Sequence, residues 1–258
     1  MTSRLHAIVS WTLALLGDCV SLCRSKGLGQ FLPFWRRTVL RWRKNPMSFL
    51  PYRMWRESMK FTFQGRTYRY FYHPSNVTWG NERAVEIAVV KEIFDGYRGK
   101  CILEVGNVLQ QYMPISHEVV DKYEHAPGVT NVDIVDFNPR TAYDLIISVS
   151  TLEHVGYDEP EQDKGKVVRA FHHLTQMLAP GGMMVVTMPI GDTPWIAGLI
   201  DRGEISFDVM CCMKRVSKHN RWEQTTWAAI KNAEYGHPYM NANGIVIGFI
   251  HGRNAVVT

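Results

Sequence analysis

Between Cys101 and Pro189 short apolar, β-branched runs recur with loops or helices between them, and this alternation constrains the fold more than any other property of the chain. Strands are expected at 101–105, 118–120, 144–149 and 183–187. Strands spaced by loops and helices are the pattern of a parallel, doubly wound sheet. The helix before the fourth strand is well specified. Val167, Val168, Phe171, Leu174 and Leu178 make one apolar face, and Pro180-Gly181-Gly182 stops it. His172 and His173 on that helix are expected at its surface or boundary rather than on a metal. Two further strands, near Ser206 to Cys212 and Gly244 to Ile250, would complete the sheet.

Upstream, Phe61 to Gln64 and Thr67 to Tyr72 flank Gly65-Arg66 and predict a hairpin. A helix is expected over 81–94, with Asn81 as N-cap and Val85, Ala88, Val89 and Ile93 at helical spacing; Gly96 and Gly99 end it. The expected division is a basic, partly amphipathic extension over 1–60, a hairpin and helix over 61–98 forming a cap or lead-in, and a core domain over 99–258. The 258 residues, 46% of them hydrophobic, suffice for one large core with an appendage.

Charge is unevenly spread. Residues 1–60 hold eleven Lys and Arg against two acids, so the first part of the chain is strongly basic although the net charge is only +5. Such a block suits anionic lipid, nucleic acid or a solvated tail. The apolar run Ala7 to Cys23 is interrupted by Gly17 and Asp18, short of the roughly 20 residues that span a bilayer. It is expected to pack on the protein's own core or a partner, or to lie in a membrane interface. Phe31 to Lys44, where Trp and Phe stand beside cations, keeps peripheral membrane contact through 1–45 in view. Nothing resembles a nucleic-acid-binding motif, and nucleic acid is not the expected partner. The five cysteines show no paired CxxC spacing and are read as reduced thiols of a cytoplasmic protein.

In an open α/β sheet the ligand lies beyond the carboxyl ends of the strands, where strand order reverses. The informative residues then follow each strand: Glu104, Gly106 and Asn107 after the first, Asp121 after the second, Asp133 in the apolar run 132–135, and Ser150, Glu153 and His154 after the strand at 144–149. A glycine lets backbone approach a ligand, and a strand-end carboxylate can accept both hydrogen bonds of a ribose diol. Asp121 stands fifteen residues after Gly106, near the spacing that role needs; by itself it suits a solvated loop equally well.

Taken together, ILEVG at 102–106, VVD at 119–121, YDLIISVSTLEHV at 143–155 and LAPGGMMVVTMP at 178–189 resemble successive motifs of the class I S-adenosylmethionine-dependent methyltransferases. The resemblance implies a Rossmann-like, doubly wound, seven-stranded and mostly parallel sheet whose last strand runs antiparallel, with S-adenosyl-L-methionine as cofactor. It implies that Glu104 and the Gly106 turn, with Asn107, face the methionine part, that Asp121 binds the ribose and Asp133 lies near the adenine amine, and that Ser150 and His154 border the methyl group's path. The family's glycine-rich loop usually carries two or three alternating glycines. Here Gly106-Asn107-Val108-Leu109-Gln110 keeps only the first, which means a variant loop or impaired cofactor binding; the intact downstream motifs favour the variant loop.

Methyl transfer from a sulfonium is an in-line displacement, helped chiefly by positioning and exclusion of water. For a hydroxyl acceptor a base helps, and His154 is the first candidate with Glu153 second; a packing or capping role suits His154 as well. Tyr72, Trp79, Trp195 and Tyr239 are the candidate acceptor-binding aromatics, with buried structural rings as the alternative. No metal site is expected. The acidic run Asp158 to Asp163 is read as a solvated loop. The expected activity is methylation of a small-molecule, glycan or lipid-linked acceptor at oxygen. The alternative is a catalytically silent module of the same fold that docks a partner or membrane through its basic arm. A nucleic-acid methyltransferase lacks its Asn/Asp-Pro-Pro-aromatic motif here, Ser150-Thr151-Leu152-Glu153 standing in that place.

Overall fold

The computed structural model describes residues 59–73 and 75–252. Most of the basic extension, including the membrane contact expected of 1–45, lies outside the described residues.

The first element is a hairpin of β1 (Lys60–Phe63) and β2 (Arg66–Arg69). Its two-residue turn is Gln64-Gly65, one position earlier than expected, and both residues have positive φ (48° and 73°). That is the primed turn whose twist matches paired strands, and it needs its glycine second rather than first. Helix α1 (Arg83–Gly96) follows. The helix starts two residues later than the spacing suggests, so Glu82 and not Asn81 is its N-cap, and Asn81, one residue outside, accepts the Arg83 amide on Oδ1 at 3.2 Å.

The main sheet contains β3 (Ile102–Val105), β4 (Glu118–Val120), β5 (Val129–Thr130), β6 (Tyr143–Val149), β7 (Leu178–Pro189), β8 (Val209–Arg215), β9 (Trp222–Thr225) and β10 (Gly244–His251). The spatial order is β5-β4-β3-β6-β7-β10-β8-β9. The first five in that order are mutually parallel. β10 is antiparallel to both β7 and β8. This is the expected seven-stranded sheet with its antiparallel final strand, enlarged by β9 at the edge. β5, only two residues long, and β9 are strands that no apolar run announced. β8 begins at Val209, not at Ser206.

Leu145, Ile146, Ile147 and Val149 on β6 are fully buried on both faces, which is why this strand is a continuous apolar run. One face is covered by α1 and the hairpin, through Val85, Ile87 and Val89 with Phe61 and Phe63. The other is covered by α2 (Lys164–Gln176) and α3 (Ile196–Asp201), through Val167, Phe171, Leu174, Ile196 and Leu199. Asp163 caps α2, its side chain accepting the Gly165 amide at 2.9 Å. Leu178, expected on the helix face, is the first residue of β7.

The connections on the β3 side are unusual. β3 reaches its parallel neighbour β4 through 106–117 with a single 3-10 turn, Leu109–Gln111, and β4 reaches β5 with no helix at all. Neither connection covers the sheet as the usual crossover helix would. His173, on α2, closes part of the gap by bonding the Phe137 carbonyl at 2.7 Å, a boundary role.

Candidate functional site

The chain winds from β3 outward through β4 to β5, then returns to the other side of β3 for β6 and β7. Strand order therefore reverses between β3 and β6, and a ligand crevice is expected above their carboxyl ends. Gly106 sits there with φ +87°, its amide donating to the Val120 carbonyl at 2.8 Å. A Cβ at this position would overlap the Thr151 side chain, 2.6 Å from its Cγ2. The one retained glycine is thus required by the approach of two loops as well as by its backbone angle.

Glu104 explains how a loop with one glycine keeps its shape. Its carboxylate is fully buried. Oε1 accepts the Val108 and Leu109 amides at 2.9 and 2.7 Å, and Oε2 meets His117 Nε2 at 2.7 Å. Both oxygens are spent on the connection itself, so Glu104 acts on the crevice by holding the loop that borders it. The free amides that a crossover helix would have absorbed are satisfied by this side chain.

Asp121 follows β4 and is half-buried. Its Oδ1 accepts the Tyr123 and Glu124 amides at 2.8 Å each, whereas Oδ2 has one longer bond, 3.2 Å, from the Asn107 amide. The solvated-loop and ligand readings of Asp121 meet here: one oxygen organises the loop, and the other sits beside the glycine turn. Asn107 is itself buried, donates to Glu124 Oε1 at 2.9 Å and leaves its own Oδ1 without a partner.

Asp133 lies in a charge network. Its Oδ2 is 2.8 Å from Lys122 Nζ and 2.5 Å from Lys166 Nζ, and both ammonium groups also reach Glu159 Oε1. Burial alone would raise the Asp133 carboxyl, but Lys122 and Lys166 hold it below the usual carboxylate range. The run Asp158 to Asp163 is correspondingly less solvated than expected: Glu159 belongs to this network and Asp163 caps α2.

A mostly parallel sheet with an antiparallel final strand, carrying the glycine turn, Asp121 and Ser150 at the carboxyl ends of β3, β4 and β6, decides the architecture. The fold is Rossmann-like, as the resemblance to the class I S-adenosylmethionine-dependent methyltransferases implied. No family model matches the chain, and no curated protein does. Similar solved structures include the methyltransferase NodS from Bradyrhizobium japonicum WM9 in complex with S-adenosyl-L-homocysteine, 14% identical, with a TM-score of 0.41 over 67% of this chain and 88% of that one. Another is the sugar N-methyltransferase KedS8 from Streptoalloteichus sp ATCC 53650, 13% identical, with a TM-score of 0.34 over 66% and 88% of the two chains. Both likenesses are remote.

The loop after β6 leads into a corner that the sequence did not assemble. Ser150, at φ +43°, turns its Oγ onto Glu86 Oε1 of α1 at 2.7 Å. Arg83 binds Glu86 Oε2 at 3.1 Å and the Val149 carbonyl at 3.0 Å, tying the start of α1 to the end of β6. Glu82, also buried, accepts the Ala242 amide at 3.1 Å. Glu153 is wholly buried with both oxygens unpartnered. Burial, reinforced by the neighbouring charges of Glu86 and Asp192, pushes its carboxyl well above the usual range. Burial and Glu86 raise Glu82 in the same direction.

His154 stands at the rim of this corner, about one third exposed. Its Nε2 is 3.5 Å from Asp192 Oδ2 and 3.9 Å from Glu153 Oε1, and its Nδ1 is 3.0 Å from Asp158 Oδ2 without the alignment of a hydrogen bond. Asp192 is carried by the turn after β7. Gly191 lets that turn press on the loop before β10, where a Cβ would lie 2.9 Å from the Tyr235 amide. Tyr112 approaches from the loop after β3, with a buried hydroxyl raised by desolvation.

Glu82, Arg83, Glu86, Asp192 and Tyr112 were not singled out from the sequence. The signal for two of them was present, since Glu82 and Glu86 are four apart and share a helix face, and Glu86 interrupts the apolar run 84–90.

The four candidate aromatics have separate surroundings. Trp195 is buried, packs edge-on against Tyr157 at 5.0 Å, lies 5.6 Å below Lys164 and leaves Nε1 unpartnered. Tyr72 stacks on Tyr70 at 6.1 Å. Tyr239 receives the Arg215 guanidinium over its ring at 5.5 Å. Trp79 belongs to the turn Ser75–Gly80, which the Asn241 side chain binds through the Gly80 carbonyl at 3.1 Å. Tyr72 and Tyr239 are both half-buried in ring contacts, whereas Trp195 keeps a polar handle. Trp222 is structural, its amide accepted by the Tyr70 hydroxyl at 2.8 Å.

Proposed function

We propose that the chain is an S-adenosylmethionine-dependent methyltransferase that acts on a small-molecule, glycan or lipid-linked acceptor at a hydroxyl oxygen. The observation that carries this reading is the concentration of special geometry at the strand reversal: Gly106 against Thr151, Asp121 with one lightly used oxygen, and Ser150 turned at positive φ, on three different strands. These residues suit the cofactor. The Gly106 turn, packed on Thr151, fixes the loop that borders the crevice, and Asp121 Oδ2 can accept from a ribose hydroxyl beside it. Asn107 and Ser150 would border the methionine part, and Asp133 the adenine edge.

When bound, the cofactor supplies an electrophilic methyl group on a sulfonium. The chain's own residues hold the acceptor in line and keep water away. His154 takes the hydroxyl proton on Nε2, oriented by Asp158 near Nδ1. Glu153 is the lesser base, because its burial favours the protonated form. The basic extension, through 1–45, is proposed to bring the enzyme to a membrane surface and its lipid-linked acceptors.

The reading is tested by incubating the protein with S-adenosylmethionine and a library of hydroxylated small molecules and glycans. Formation of S-adenosylhomocysteine together with a product one methyl heavier supports it. Absence of turnover with intact cofactor binding favours the silent module instead.

A further inference from the structure

The corner beside Ser150 has more acid than it can use. Glu82, Glu86, Glu153, Asp158 and Asp192 gather around Arg83 and His154, and among the described residues Arg83 is the only permanent cation paired with any of them. Two of the three buried carboxyls have partners. Glu86 holds Arg83 and Ser150, and Glu82 holds the Ala242 amide. Arg83 is committed to Glu86 and the Val149 carbonyl. Among the described residues Glu153 has no side-chain hydrogen-bond partner: both of its oxygens are buried, and the nearest basic nitrogen, His154 Nε2, is 3.9 Å away. A buried carboxyl group with neither donor nor acceptor is costly, and this one adjoins the proposed base and the end of the methyl path.

We infer that the acceptor carries a protonated amine beside its hydroxyl, and that Glu153 is the anionic seat for that amine. The inference rests on the methyltransferase reading and narrows it to amino alcohols and amino sugars. An ammonium group has only donors, so it matches two acceptor oxygens that lack them, and its charge offsets the surplus of acid. A neutral acceptor would leave Glu153 unpartnered, and an anionic one would add repulsion. Burial holds the Glu153 carboxyl above its usual range, and a seated cation shifts it back toward the ionised form. With the amine anchored at Glu153, the hydroxyl is presented toward His154, which holds its Nε2 between Glu153 and Asp192.

The test uses the full chain saturated with S-adenosylhomocysteine. Ethanolamine and D-glucosamine, with their N-acetyl counterparts, are titrated calorimetrically in two buffers of different ionisation enthalpy. The expected result is that an amine binds at least roughly tenfold tighter than its acetylated form, the scale of one charge-assisted hydrogen bond, with proton release seen as a buffer-dependent heat. In Glu153→Gln the preference should vanish while the affinity for S-adenosylhomocysteine is retained and the melting temperature does not fall. Equal binding of amine and amide, or a preference that survives Glu153→Gln, overturns the inference. So does a Glu153→Gln protein that loses affinity for S-adenosylmethionine but not for S-adenosylhomocysteine, since Glu153 would then serve the sulfonium. Failure of S-adenosylhomocysteine to bind at all would instead remove the methyltransferase reading beneath it.

Discussion

Gly106 and Thr151 approach so closely that no side chain can be placed between them, and the loops after β3 and β6 are thereby locked together over the crevice. Gly106→Ala must both adopt φ +87° and displace Thr151. The expected cost is about 1–3 kcal/mol for the backbone alone, with more from the overlap. Urea unfolding reads the first effect, and a weakened affinity for S-adenosylhomocysteine reads the opening of the crevice. A fully stable Gly106→Ala protein with unchanged affinity would show that the contact has no role.

Glu104 replaces a helix by bonding two loop amides and His117. Glu104→Ala leaves those buried donors without an acceptor, and a loss of about 3–5 kcal/mol is expected. Hydrogen exchange should then rise selectively at Val108 and Leu109, before the rest of the sheet opens.

Asp133 contributes an acid-sensitive part of the stability. Its folded-state carboxyl is held low by Lys122 and Lys166 despite its burial. The contribution is therefore present above the unfolded carboxylate value of about 3.9 and is lost as pH falls below it. Asp133→Asn should lower stability at pH 7 by about 1–3 kcal/mol and flatten the decline between roughly pH 4 and pH 2. Parallel pH curves for the two proteins would contradict this.

Glu153 behaves in the opposite sense. Its carboxyl is raised by burial and by Glu86, so the favourable protonated state is complete below the unfolded value of about 4.3 and is lost as pH rises through the folded one. Glu153→Gln should match the parent protein in acid and exceed its melting temperature at neutral and alkaline pH. A variant less stable at every pH would indicate that Glu153 has a structural partner.

How far all this was legible depended on range. The strands at β3, β4, β6 and β7 were readable because parallel strands buried on both faces must be apolar throughout. β5 was not, because Val129 and Thr130 are too few to make a pattern. The loss of the crossover helix after β3 was hinted at by the missing glycines, but its replacement by Glu104 and His117 depends on a bond across thirteen positions that no local rule reveals. Positions at single strand ends, such as Asp121 and Ser150, were found from topology alone. The acidic corner was not, since Ser150 and Glu86 are sixty-four residues apart. Only packing shows that Glu86 is buried against Ser150.

Binding of S-adenosylhomocysteine measured by isothermal titration, for the parent protein and for Asp121→Ala, tests the central claim most directly. The account predicts saturable binding at one site per chain, weakened at least roughly tenfold in Asp121→Ala by loss of the ribose contacts. No binding heat from the parent protein, or equal affinity in the two, would contradict it.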